Sequence, residues 1–216
     1  MPFIPTRLLI TFAACAVLSS AITLTDNLSK TTESTEFVGG DTWIAATFST
    51  DNANYQISSA ALLLSTPGSS TAKLDLYSTA SGQPGTLLST LTSPASFPSG
   101  PAAVSFAGSS YILAPNSTYW LVLKATSGEF DWSWTSDNTG TGVGFLAQWA
   151  ATDDAGGSWF TATSEPMQLR VLADPVNAVI PEPASFTLAA LSMAGVIGML
   201  RMRKNNRQTA ARTIVI

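Results

Sequence analysis

The chain has 216 residues, 45% hydrophobic and only 11% charged, with one cysteine, no histidine and a formal net charge of −4. That composition excludes a thiolate zinc site, a His-ligated metal centre, a Ser-His-Asp triad and an internal disulfide framework. It also excludes a predominantly basic surface for nucleic acid, and the length suits one domain plus processing segments.

Residues 1–21 read as a secretory signal peptide. Arg7 is the only charge before an apolar run over residues 8–18, and Ser19, Ser20 and Ala21 put small residues where a signal peptidase cuts. Cleavage after Ala21 removes Cys15, the only cysteine. Residues 22–175 then form the exported domain, with 13 Asp or Glu against four Lys or Arg, a net charge of −9. Such a domain repels nucleic acid and anionic lipid surfaces, and without cysteine it must be held by its core.

Residues 23–35 are polar and read as a loose arm. Beyond them the period becomes that of strands. Trp43–Ser49 and Tyr55–Ser65 are expected strands. In residues 72–78, Leu74 and Leu76 share one face while Lys73, Asp75 and Tyr77 share the other. Residues 81–85 must turn, 86–92 return as a strand, and 93–101 form a loop punctuated by Pro94, Pro98 and Pro101. Short strands follow at 103–106 and 110–113. Residues 118–126 carry the strongest strand signal, dense in β-branched and aromatic side chains. Residues 129–135 alternate, with Phe130, Trp132 and Trp134 opposite Asp131, Ser133 and Thr135. A glycine-rich loop at 138–144 precedes final strands at 145–149, 159–162 and 167–172. About nine or ten short strands with no long helix among them predict an all-β fold, an antiparallel β-sandwich. A jelly-roll-like order is favoured, although periodicity alone does not choose it over an immunoglobulin-like one.

The C-terminal part reads as a membrane address. Residues 176–183 form a linker holding Pro181, Glu182 and Pro183, and residues 184–200 carry no charge. As a helix that stretch measures roughly 25 Å, near the lower limit for a single transmembrane helix. Arg201, Arg203 and Lys204, followed by Arg207 and Arg212, mark residues 201–216 as a basic cytoplasmic tail, so the domain before the helix faces outward. The two prolines keep the peptide before the span extended, where a membrane enzyme reaches it.

The sequence Pro181, Glu182, Pro183, followed by the span and Arg201, Met202, Arg203, Lys204, resembles the PEP-CTERM sorting signal. That resemblance implies recognition by an exosortase-type membrane protease, passage from an inner-membrane precursor facing the periplasm to the cell surface or beyond, and a Gram-negative bacterium that makes exopolysaccharide. The domain is in turn similar to the choice-of-anchor R domain. The resemblance rests on residues 43–48, on Leu74, Asp75, Leu76 and Tyr77, on Gly82, Gln83, Pro84 and Gly85 leading into residues 87–91, and on residues 113–123. It implies surface display and carries over no catalytic residue.

All six tryptophans lie in the domain. Trp149 and Trp159, near glycine-rich loops, are candidate platforms for sugar rings, with Asp131, Asp137 and Asn138 as hydroxyl partners if their loops converge. The same side chains would also serve as core. Asp153 and Asp154, before Ala155, Gly156 and Gly157, are weak calcium candidates, and a solvated turn explains them equally. No cofactor is called for. The expectation is therefore an exported surface or matrix protein, not an enzyme, that acts by adhesion or association with exopolysaccharide. The alternatives are a carbohydrate-active enzyme with an acidic pocket, which needs two positioned carboxylates, and a purely structural matrix component.

Overall fold

The structure is a computed structural model that describes residues 20–176. Most of the expected signal peptide, the linker from residue 177 with Pro181, Glu182 and Pro183, the expected span, and Arg201, Arg203 and Lys204 lie outside the described residues. No helix among the described residues is long and apolar enough to cross a membrane.

The described chain is all-β. Its strands are β1 (Ile22–Asp26), β2 (Ser34–Gly39), β3 (Trp43–Ser49), β4 (Tyr55–Ser65), β5 (Thr71–Ala80), β6 (Gln83–Leu91), β7 (Ala102–Ala107), β8 (Ile112–Leu113), β9 (Thr118–Ser127), β10 (Glu129–Trp134), β11 (Phe145–Thr152), β12 (Phe160–Ala162) and β13 (Leu169–Pro175). They form two antiparallel sheets. One runs β1-β13-β4-β10-β2, with β7 and β8 also on β4; the other runs β12-β11-β3-β9-β5-β6.

The long strand β4 organises the first sheet. Along one side it pairs with β13 over Tyr55 to Leu62 and then with β10 at Leu64 and Ser65; along the other it pairs with β8 and β7. Its alternation explains this position, because Ile57, Leu62 and Leu64 are buried inward at a period of two with only one break. Phe130 and Trp132 from β10, Val171 and Ala173 from β13, and Val104 and Phe106 from β7 join them. The second sheet supplies Ile44, Ala46 and Phe48 from β3, Leu74 and Leu76 from β5, and Leu121 and Leu123 from β9. These side chains make one cluster, so the two sheets pack face to face as a sandwich. Each fully buried aliphatic or aromatic side chain contributes about 1.5–3 kcal/mol.

The loose arm expected at residues 23–35 is corrected by the structure. Residues 22–26 form the edge strand β1, whose Leu24 is fully buried, and β2 begins at Ser34. Pairing decides both cases: β1 lies along β13 from Ile22 opposite Ala173 to Asp26 opposite Arg170, and β2 lies along the whole of β10. The turn expected over 81–85 is tighter. Strands β5 and β6 continue to Ala80 and Gln83, leaving Ser81 and Gly82 at φ 51° and 77°, the two left-handed residues of a type I′ hairpin turn. The last expected strand moves from 167–172 to Leu169–Pro175, because β4 provides partners as far as Tyr55.

Candidate functional site

Strand alternation gives the second sheet an outer face as well as the inner one already described. Ala45, Trp120, Val122 and Ala150 form a second buried cluster, and each is flanked in sequence by residues of the main core. They therefore point away from it. In register, Thr47 and Tyr77 stand on either side of Trp120, and Ala45 and Asp75 stand on either side of Val122. Trp43, Tyr77 and Trp159 are half-buried and pack against this cluster.

Trp120 is fully buried although it lies on an outer face. Its Nε1–H donates to Thr79 Oγ1 at 3.3 Å, and Gln148 Nε2 of β11 donates to the Gly82 carbonyl in the β5–β6 turn at 3.0 Å. In a flat sheet β11 and β5 would be about 14 Å apart, three strand spacings. Their bridging requires that the sheet and its hairpin tip curl over the outer face, which closes it above Trp120.

Lys124 sits in the middle of the face. Its Nζ donates to Tyr77 Oη at 2.6 Å, pairs with Asp75 Oδ2 at 2.8 Å, and lies 4.0 Å from the Trp43 ring centroid and 4.9 Å from that of Tyr77. Asp75 Oδ1 accepts from Thr90 Oγ1 at 2.5 Å. The side chains of Lys124 and Asp75 are only 14% and 5% exposed. Burial opposes the lysine charge, but the hydrogen bonds to Asp75 and Tyr77 outweigh it and hold Lys124 above the ordinary lysine range. The ammonium is thus an internal strut, with a carboxylate, a phenol and an indole face as partners.

The β11–β12 turn forms the rim on one side. A side chain at Gly156 would stand 2.9 Å from Trp43 and 3.7 Å from Trp159, so this turn passes beside both indoles. The turn is held from within. Asp154 Oδ1 accepts from Thr152 Oγ1 at 2.6 Å and the Ser158 amide at 2.9 Å, and Oδ2 accepts from Ser158 Oγ at 2.7 Å. These donors hold the Asp154 carboxyl at about 2, below the usual carboxylate range. Asp153 Oδ1 accepts from Thr42 Oγ1 at 3.1 Å, and the Asp41 carbonyl accepts from the Ala155 amide at 3.0 Å. An open depression of about 410 Å³ lies at this turn, lined by Ala151, Thr152, Asp153, Asp154, Ser158 and Phe160. As calcium candidates, Asp153 and Asp154 are thus already engaged by hydroxyl and amide donors. No group of three or more metal-ligating side chains comes together among the described residues.

The glycan candidates read from sequence are distributed over the domain. Trp159 belongs to the outer-face cluster. Trp149, one strand position from Ala150, turns the other way, packs on the main core, meets Phe160 edge-on and donates from Nε1 to the Ser164 carbonyl at 3.0 Å. Asp131 lies on the first sheet, opposite Phe37 and Ser65. Asp137 pairs with Lys30 at 2.7 Å, and this bond, with those from Thr139, lowers its carboxyl to about 2. Asn138 Oδ1 accepts from the Glu165 amide at 2.7 Å. Trp149 and Asn138 therefore both bind the 163–166 segment, whereas Asp131 shares no hydrogen bond with any of the others.

Sequence reasoning missed Trp43, Tyr77, Lys124 and Asp75 as one group. Its signal was present: residues 119–123 are apolar at every position, the mark of a strand buried on both faces. No protein-family model matches the chain, and no curated protein is significantly similar to it.

Proposed function

We propose that this chain is an exported bacterial surface or matrix protein whose β-sandwich binds a glycan through the outer face of its second sheet, and that it acts by binding and not by catalysis. The observation that carries the binding role is the half-buried set Trp43, Tyr77 and Trp159 packed on the outer cluster, with Trp43 and Tyr77 held by Lys124 and its partner Asp75. Flat aromatic faces fixed by packing suit the apolar faces of sugar rings and lose little conformational entropy when they bind. A binding role also fits the carboxylates of this face, since Asp75 is consumed by an ion pair and Asp154 by its own turn.

The strand order supports a jelly roll. Read without the additional strands, the sheets run β1-β13-β4-β7 and β3-β9-β5-β6, the interleaving of two Greek keys, an architecture used by lectin domains. The PEP-CTERM-like motif Pro181, Glu182, Pro183 and the basic residues Arg201, Arg203 and Lys204 support sorting by an exosortase-type protease from the inner membrane to the surface. They also favour exopolysaccharide as the glycan source.

A glycan array probed with the full chain in detergent tests the binding role. Retention of one glycan class should fall by about tenfold on Trp159→Ala, the loss of roughly one stacked ring, while the thermal unfolding curve stays cooperative. Unchanged retention would refute the platform. Fractionation with terminal mass spectrometry tests the sorting. Surface material ending near residue 183 is expected, and full-length protein confined to the inner membrane would refute it.

A further inference from the structure

We infer that the aromatic face selects a cationic glycan, one whose sugars carry free amines, over neutral and uronic-acid polymers; this deepens the glycan-binding reading above and rests on it. Of the four Lys and Arg residues between 22 and 175, Lys30 pairs with Asp137, Lys124 with Asp75 and Arg170 with Asp26. That leaves Lys73 as the one basic side chain without a carboxylate partner among the described residues, against ten carboxylates that lack a basic partner. A polyanion approaching this domain meets a repulsive field, and a polycation meets an attractive one.

The local geometry points the same way. Asp41, Asp153 and Asp154 are exposed on two segments joined beside the turn that passes Trp43 and Trp159, through the bonds of Thr42 to Asp153 and of the Ala155 amide to the Asp41 carbonyl, and none of the three forms an ion pair among the described residues. Asp154 uses its oxygens within the turn but keeps its negative charge, and Asp41 and Asp153 have capacity for an incoming donor. Lys73 is exposed on the same face, but it stands two strands from Trp43, about 10 Å away and on the side opposite this rim. The face also already holds one alkylammonium against an indole, a phenol and a carboxylate, in Lys124 itself. An aminosugar brings groups complementary to such partners: a ring face for Trp159 or Trp43 and an ammonium for Asp153 or Asp41.

The test compares three hexasaccharides on the full chain in detergent by titration calorimetry at low salt: hexaglucosamine below its amine pKa, its fully N-acetylated form, and hexagalacturonate. Hexaglucosamine is expected to bind about threefold to tenfold more tightly than the N-acetylated form, the worth of two exposed charge pairs. Hexagalacturonate should not bind. The preference should disappear in Asp41→Asn/Asp153→Asn and shrink as salt is raised, and Trp159→Ala should weaken both glucosamine forms. Equal binding of the amine and the N-acetylated hexamers, both lost on Trp159→Ala, would overturn the charge selection and leave the aromatic platform standing. Amine binding that is indifferent to Trp159→Ala would overturn the assignment to this face. A neutral glycan retained on the array while hexaglucosamine fails to bind would overturn the selection as well, whereas failure of every arrayed glycan removes the platform itself.

Discussion

Replacing Asp75 by alanine isolates the strut beneath the aromatic face. In the native domain the Asp75 carboxylate is 5% exposed, holds Lys124 Nζ at 2.8 Å and accepts from Thr90. Its removal leaves an ammonium that is 14% exposed with only a phenol and indole faces as partners. Breaking one side of a buried ion pair costs about 3–5 kcal/mol. The residual exposure of Lys124 puts the expectation at the lower end, about 3 kcal/mol. For a domain of this size that lowers Tm by roughly 6–12 °C. In Asp75→Ala/Lys124→Met the stranded charge is gone, so most of the loss should return, and urea unfolding of the four species should give a coupling energy of about 2 kcal/mol or more. Coupling under about 0.5 kcal/mol would refute the view that this pair braces the face. The pH dependence has a definite sign. Because the folded state holds Lys124 above the ordinary lysine range, its contribution is complete at neutral pH and is lost as the pH rises beyond about 10.4.

Three further outcomes are expected. Gly144→Ala would place a methyl 1.8 Å from the Ser49 carbonyl oxygen, a backbone atom that cannot swing aside, and should cost about 3 kcal/mol in chemical denaturation; a neutral result would mean that the 138–144 loop packs elsewhere. The Asp154 carboxyl, followed by carbon-detected NMR, should titrate at about 2 and move up toward the ordinary aspartate value in Thr152→Val; its stabilisation of the turn is present above about pH 3.9 and is lost as the pH falls toward 2. Ala155 holds φ at 56°, where an L side chain costs about 1–2 kcal/mol, so Ala155→Gly should stabilise by about 0.5 kcal/mol once the extra freedom of unfolded glycine is subtracted, and a lower Tm would contradict that account.

Strand periodicity was most legible in β4, which has one buried and one half-buried face and begins and ends where its alternation does. β3, buried at every position from Ile44 to Phe48, was legible from its apolar density, and the opposition of Leu74 and Leu76 to Asp75 and Tyr77 foretold which of them reach the main core. The two edges of the first sheet were not legible. β1 and β2 are rich in Ser and Thr, and they are strands because β13 and β10 offer them hydrogen bonds, which no local pattern announces. The candidate site was half legible for a similar reason. Trp120 is fully buried, as a core residue should be, but in the outer cluster and not between the sheets, because the curl that covers it depends on Gln148 meeting Gly82 across the sheet. Trp149 and Trp159 both border glycine-rich turns in sequence, yet they face opposite sides of the second sheet.

The position of β13 bears on how the domain would respond to mechanical load. The strand that leads out of the domain at Pro175 is an interior one, laddered to β1 on one side and to β4 on the other. A pull applied at Val176 is therefore borne in shear by two rows of backbone bonds at once, whereas an edge strand would peel away one bond at a time. A tether attached there would transmit drag on the domain without first unravelling it.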